Sequence, residues 1–147
     1  MFIVNVEGAI YKEGKWLLVK RSEQEENGAG GLALVGGQVD QEGNSSDIFE
    51  RTLIREIDEE VGIEVTNLQY VNSSTFISDT GKPVVDIVFV CDHFFGEPYV
   101  KCKEELDEVI WMTTEEILNG EEFPDYLKRN ITQAEQLRTL TEQIKVG

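Results

Sequence analysis

One stretch of this chain, Ile48 through Val61, contains neither Gly nor Pro and is closed by Gly62. That predicts a four-turn helix, with Ser46 or Asp47 as N-cap and Gly62 as the C-terminal stop. At about 100° per residue, Glu56, Glu59 and Glu60 fall within an arc of about 100° on one side of such a helix. Leu53, Ile54, Ile57 and Val61 gather on the opposite side. The helix therefore needs an apolar surface to lie on, and it aims three carboxylates outward in one direction. Arg51 and Asp58 fall elsewhere, in water.

The segments around this helix supply that surface. Phe2 to Tyr11 and Lys15 to Lys20 are strand-like runs, and Lys12-Glu13-Gly14 between them predicts an antiparallel hairpin. Ser22 to Gly31 reads as a polar surface loop beside a site, and Leu32 to Val35 as a short strand running into Gly36-Gly37. Beyond the helix, Ile63 to Ser78 and Val84 to Phe95 are rich in Val, Ile, Phe and Tyr, with a turn over Asp79-Thr80-Gly81-Lys82-Pro83. Val109 to Met112 makes a last strand, Thr113 or Thr114 caps a brief helix to Leu118, and Asp125 to Val146 reads as an amphipathic helix. Strands, a helix, strands and then helices predict an α/β fold with a mixed sheet covered by helices on both faces. The 147 residues suit one domain, 1–147.

Charge narrows the choice of function. With 13 Lys and Arg against 29 Asp and Glu, the formal net charge is −16, a field that repels nucleic-acid polymers and anionic lipid. An anionic ligand then needs a metal or a local basic patch to invert the sign. Two cysteines, Cys91 and Cys102, form no disulfide framework or zinc motif and fit a reducing compartment. The most apolar stretch, Val84 to Cys91, is interrupted by Asp86 and is far short of a membrane span. No secretory signal is apparent. The expectation is a cytoplasmic protein, and its exposed hairpin strands point to a homodimer.

Like charges spaced i, i+3 and i, i+4 cost a helix about 0.2 to 0.5 kcal/mol per pair, and no Lys lies among these three glutamates to relieve it. The bland alternative is a solvated acidic face. The functional one is a hard cation, Mg²⁺ or Mn²⁺, held by oxygen ligands together with substrate phosphates.

At this segment the sequence resembles a known family. Arg55-Glu56-Ile57-x-Glu59-Glu60-x-Gly62-Ile63 matches the second half of the Nudix box, G-x5-E-x7-R-E-U-x-E-E-x-G-U, at every specified position. Gly36-Gly37 resembles the glycine pair that opens the box, and the strand order with the Trp111 strand extends the resemblance over most of the chain. The resemblance implies a Nudix-like α/β/α sandwich and hydrolysis of a pyrophosphate bond in a nucleoside diphosphate linked to another moiety. It implies metal ligation by Glu56, Glu59 and Glu60 with the Gly36 carbonyl, and catalytic roles for Glu59, for Arg55 as the residue that orients a carboxylate, and for Glu105. Glu104 is the alternative to Glu105. Gly37 permits close approach of substrate, and Arg21 or Lys20 meets phosphate. The spacing departs in one place: Gly37 to Arg55 is 18 residues where the family has 14. Asp47, by counting back from Arg55, or Glu42 then takes the place of the first box glutamate. Val35 and Leu32 stand where the family has Pro and Trp.

Other residues read as structural. His93 is the single histidine, in an apolar strand. Asp40 to Asp47 fails the spacing of a calcium loop, with Ser45 at the sixth position and Arg51 at the twelfth. Tyr70, Phe76 and Phe89 are expected in the core. Two rivals to the hydrolase are a catalytically inactive nucleotide-sensing module and an acidic interaction domain without metal response.

Overall fold

The computed structural model describes residues 1–25 and 30–146, so the tip of the polar loop expected over 22–31 lies outside the described residues. Strand β1 (Ile3–Lys12) turns into β2 (Lys15–Arg21), but the two pair only at Tyr11↔Trp16 and Lys12↔Lys15. They then diverge. The first half of β1 takes β4 (Val35–Gln38) as its antiparallel neighbour, while β2 takes β3 (Leu32–Ala33) on that side and β7 (Leu106–Thr113) on the other. On its far edge β1 runs parallel to β6 (Pro83–Phe95) from Ile3↔Val84 to Tyr11↔Asp92, and β6 pairs antiparallel with β5 (Glu64–Ile77). The result is a mixed sheet, seven-stranded among the described residues.

Side chains alternate across this sheet with the period of two that a strand imposes. Val6, Ile10, Ile87, Phe89 and Cys91 face α1 (Ile48–Val61) and pack with its Leu53, Ile57 and Val61. Ala9, Trp16, Leu18, Val88 and Val90 face the opposite way, onto Ile117 of α2 (Thr114–Asn119) and Leu127, Ile131 and Ala134 of α3 (Asp125–Val146). Helices thus cover both faces of a mixed sheet, as the sequence predicts. Thr113 caps α2 in a full capping box with Glu116, its hydroxyl accepting from the Glu116 amide at 3.1 Å.

Several expectations need correction. Asp47 precedes α1 as expected, yet it is left-handed (φ 55°) and makes no side-chain cap bond. Arg51 organises that entry instead, donating to the Ser46 carbonyl at 2.9 Å, to Ser45 Oγ at 2.9 Å and to Glu42 at 2.7 Å. Gly36-Gly37 lies inside β4 rather than after a single strand from Leu32, because the chain changes partner from β2 to β1 at Leu34. Strand β7 begins at Leu106, whose buried side chain draws the last part of the charged Lys103–Glu108 stretch into the sheet. Tyr70 and Phe76 are exposed, since β5 is a sheet edge; Phe89 is buried.

Candidate active site

Helix α1 lies over β4 and β1 on its apolar side, which fixes the rotation of its carboxylates. The expected outward face is not uniform. Glu59 is about half exposed, Glu56 is mostly covered, and Glu60 is only 4% accessible, a correction to a wholly solvent-directed face. Glu60 sits in the last turn, where the chain after β6 closes over it: Tyr99 N–H donates to the Val61 carbonyl at 3.2 Å and Lys101 N–H to the Glu60 carbonyl at 3.0 Å. Gly62 ends the helix in the left-handed region at φ 68°, its N–H returning to the Asp58 carbonyl at 3.0 Å. Asp58 is not alone in water either, since Lys101 lies 3.6 Å from it.

That loop delivers Glu105. The Glu105 carbonyl accepts from Ser22 N–H at 2.8 Å, which ties the loop to the end of β2 beside Arg21. Its side chain shares a hydrogen bond with Glu60. Glu104 is held elsewhere, accepting from the Cys102 thiol. Of the two candidates named for the segment before the last strand, Glu105 is the one beside the helix carboxylates.

Electrostatics follow from this crowding. Burial, then the Glu105 hydrogen bond and the charges of Glu105 and Glu56, push the Glu60 carboxyl up to about 9, with Arg21 opposing. Burial pushes Glu56 up to about 7; Arg55 opposes, while Glu59, Glu105 and Asp40 add to the rise. Arg21 follows Leu17 and Val19 on the α1 side of β2, and the register with β7 shifts beside it, between Lys20 and Arg21. Arg21 also pairs with Glu25 at 3.5 Å.

Arg55 bridges three acids: Glu56 at 3.6 Å, Glu59 at 3.7 Å and Asp40 at 3.7 Å. It relieves the repulsion that no Lys was found to relieve. Asp40 at the end of β4, rather than Asp47 or the Arg51-bound Glu42, is therefore the acid that meets Arg55 from the longer loop. Counting along the sequence missed it, although Asp40 is the first acidic residue after the glycine pair. Gly37 lies against Glu56, and a Cβ there would overlap that side chain. A Cβ on Gly36 would run into the Val6 carbonyl of the neighbouring strand.

Among the described residues no three acidic, His or Cys side chains converge as a ready metal-holding group, and Glu60 and Glu105 hold each other instead. The donor chemistry nevertheless fits a hard divalent ion: crowded carboxyls, two of them with raised affinity for a proton, are sites where a cation can take the proton's place. His93 does not join them; it bonds the Gly96 carbonyl and packs edge-on to Trp111. No described helix is long and apolar enough to cross a membrane.

Comparison with known proteins agrees with this geometry. No curated protein matches the chain. A MutT NUDIX hydrolase from Burkholderia pseudomallei superposes with a TM-score of 0.77 at 26% identity, covering 90% of this chain and 98% of that one. A MutT protein from Methanosarcina mazei gives 0.76 at 26% identity, with 93% and 95% covered. The NUDIX domain of Shewanella oneidensis NrtR, solved with ADP ribose, shares the fold with a TM-score of 0.71 at 18% identity, covering 96% and 89%. The NUDIX domain model matches residues 1–132, and with the box glutamates grouped at the end of α1, the chain belongs to the NUDIX family of hydrolases.

Proposed function

We propose that this protein hydrolyses a pyrophosphate bond in a nucleoside triphosphate or an ADP-ribose-like nucleoside diphosphate derivative, using Mg²⁺ or Mn²⁺. The observation that carries this reading is the buried Glu60 carboxyl with Glu105 and Glu56 as its acidic neighbours, and Arg55 paired with Glu56 and Glu59 on the same helix. Glu56, Glu59 and Glu60, with the Gly36 carbonyl and Glu105, would hold the ion. Bound there, it supplies charge neutralisation at the phosphoryl oxygens and a more acidic water. Glu59, about half exposed, accepts the proton of the attacking water, and Arg55 orients its carboxylate from 3.7 Å. Arg21 offers positive charge to the substrate phosphate, and Gly37 leaves room for close approach.

The remaining expectations join this reading. A small-molecule nucleotide is the partner, and a reducing, cytoplasmic setting suits two free thiols. A homodimer would use β5, the sheet edge that exposes Tyr70, Phe76 and Ile77. The inactive sensor is favoured by one fact, that the acids pair with Arg55 and one another rather than converge. One experiment decides. Nucleoside di- and triphosphates and nucleotide sugars are incubated with protein and Mg²⁺ or Mn²⁺, with phosphate or pyrophosphate release as readout. Cleavage that Glu59→Gln abolishes in a folded protein supports the enzyme. Stoichiometric binding without cleavage assigns the sensor.

A further inference from the structure

The sheet face beneath α3 changes character along its strands. Under the helix it is apolar, with Ala9, Val88 and Val90 in the core. Beyond the first turn of α3 the register aligns Gln38, Asn5, Asp86 and Ser74 side by side on β4, β1, β6 and β5. Parity with Val88 puts this polar row, and Glu7 next to it, on the α3 side. Asp86 interrupts the otherwise apolar run Val84–Cys91 and is 7% exposed, yet its Oδ1 has no hydrogen-bond partner among the described residues. Glu7 donates to the Asp86 carboxylate; burial raises both carboxyls, Glu7 the more because Asp86 adds to it. A carboxylate has about four acceptor positions, so most of Asp86's capacity is unused.

An acceptor of this kind repels phosphate and calls for an N–H donor. Tyr126, about half exposed in the first turn of α3, feels the charges of Glu7, Asp86 and Arg21 and so stands at the rim of the same patch. Its ring offers a face for a flat heterocycle. Arg21 joins the two regions, since its charge acts on Glu60, Glu7 and Tyr126 alike. One ligand with an anionic end at Arg21 and an aromatic end under Tyr126 would touch both.

We infer that Asp86 accepts a hydrogen bond from the exocyclic amino group of the substrate's nucleobase, so that the protein selects amino-bearing bases over analogues that lack the amino group. This rests on the nucleotide-hydrolase reading for its ligand class, so the test needs neither metal nor turnover. Binding to the full chain in chelator is measured by calorimetry for three pairs of 5′-monophosphates: GMP with IMP, AMP with the purine riboside, and CMP with the pyrimidin-2-one riboside. The expected result is at least about tenfold tighter binding of the amino member in one or more pairs. Asp86→Ala should bring that ratio within about threefold, chiefly by weakening the amino member. Should it fail to fold, Asp86→Val, which suits an apolar strand, carries the same expectation. Tyr126→Ala should weaken both members alike. Equal binding within every pair, a ratio that survives loss of Asp86, or binding of none of the six overturns the inference. A chain that binds selectively but cleaves nothing overturns only the hydrolase reading.

Discussion

Glu60, buried at the end of α1, shares a hydrogen bond with Glu105, an exposed residue of the loop ahead of β7. Burial and this contact strengthen the hold of Glu60 on its proton, which a cation bound there would displace. Glu105→Gln should therefore raise the Mn²⁺ concentration needed for half-maximal binding by about tenfold or more, a size typical of altered ligand shells. Titration calorimetry checks this, and the melting temperature of the variant should stay within a few degrees.

The same pair sets a pH dependence of stability. Glu60 has its folded pKa raised to about 9 from an unfolded value of 4.5. A raised acid stabilises the fold relative to the unfolded chain only while both are protonated. Its contribution is complete below about pH 4.5 and is lost as pH rises toward 9. Metal-free protein should lose stability across that window by up to about 1.4 kcal/mol per pH unit for a fully coupled group. Urea denaturation in chelator at pH 5, 7 and 9 measures the slope. Glu60→Gln should flatten it, and saturating Mg²⁺ should reverse it.

Asp40 meets Arg55 at 3.7 Å, and Arg55 reaches Glu56 and Glu59. Asp40 is a positioning residue. Asp40→Asn should lower kcat about 3- to 10-fold with little change in KM, because the interaction helps orient Arg55 and is not itself spent on binding. Asp40→Glu should restore most of it. Equal losses in Asn and Glu variants would mean that Asp40 acts only through the loop's structure.

Gly37 faces the Glu56 side chain so closely that a methyl group cannot be added without moving it. Gly37→Ala should cost about 1 to 3 kcal/mol in unfolding free energy, the usual penalty of overpacking. It should also weaken Mn²⁺ binding, since the displaced group is a carboxylate of the site. An unchanged melting temperature and unchanged metal affinity would show that Glu56 has room to swing aside.

Gly62 combines φ 68° with the Tyr99 ring, which a Cβ would meet at 2.6 Å. Gly62→Ala should destabilise by about 1 to 3 kcal/mol through left-handed strain and that contact. Because the Tyr99 to Glu105 loop docks on the same helix end, the variant should also lose part of the Glu60–Glu105 coupling. A shallower pH slope of stability would report it.

The amino-acid order by itself determined the elements and the helix face. The Gly-free run to Val61, the apolar runs of β1 and β6, and the i, i+3, i+4 spacing of Glu56, Glu59 and Glu60 are local patterns. Helix and strand periodicity translate them directly into geometry. Glu105, with Glu104 as its alternative, came from the resemblance to the family and not from local pattern. What only the tertiary structure decided depends on residues far apart in sequence. The burial of Glu60 requires the chain after β6 to close over α1. Asp40 meets Arg55 only because β4 pairs with β1 and ends beside the helix. The row Gln38–Asn5–Asp86–Ser74 exists only once four strands have chosen partners and register. Local spacing sets which way a side chain points from its own element; strand pairing and helix docking set what it meets there.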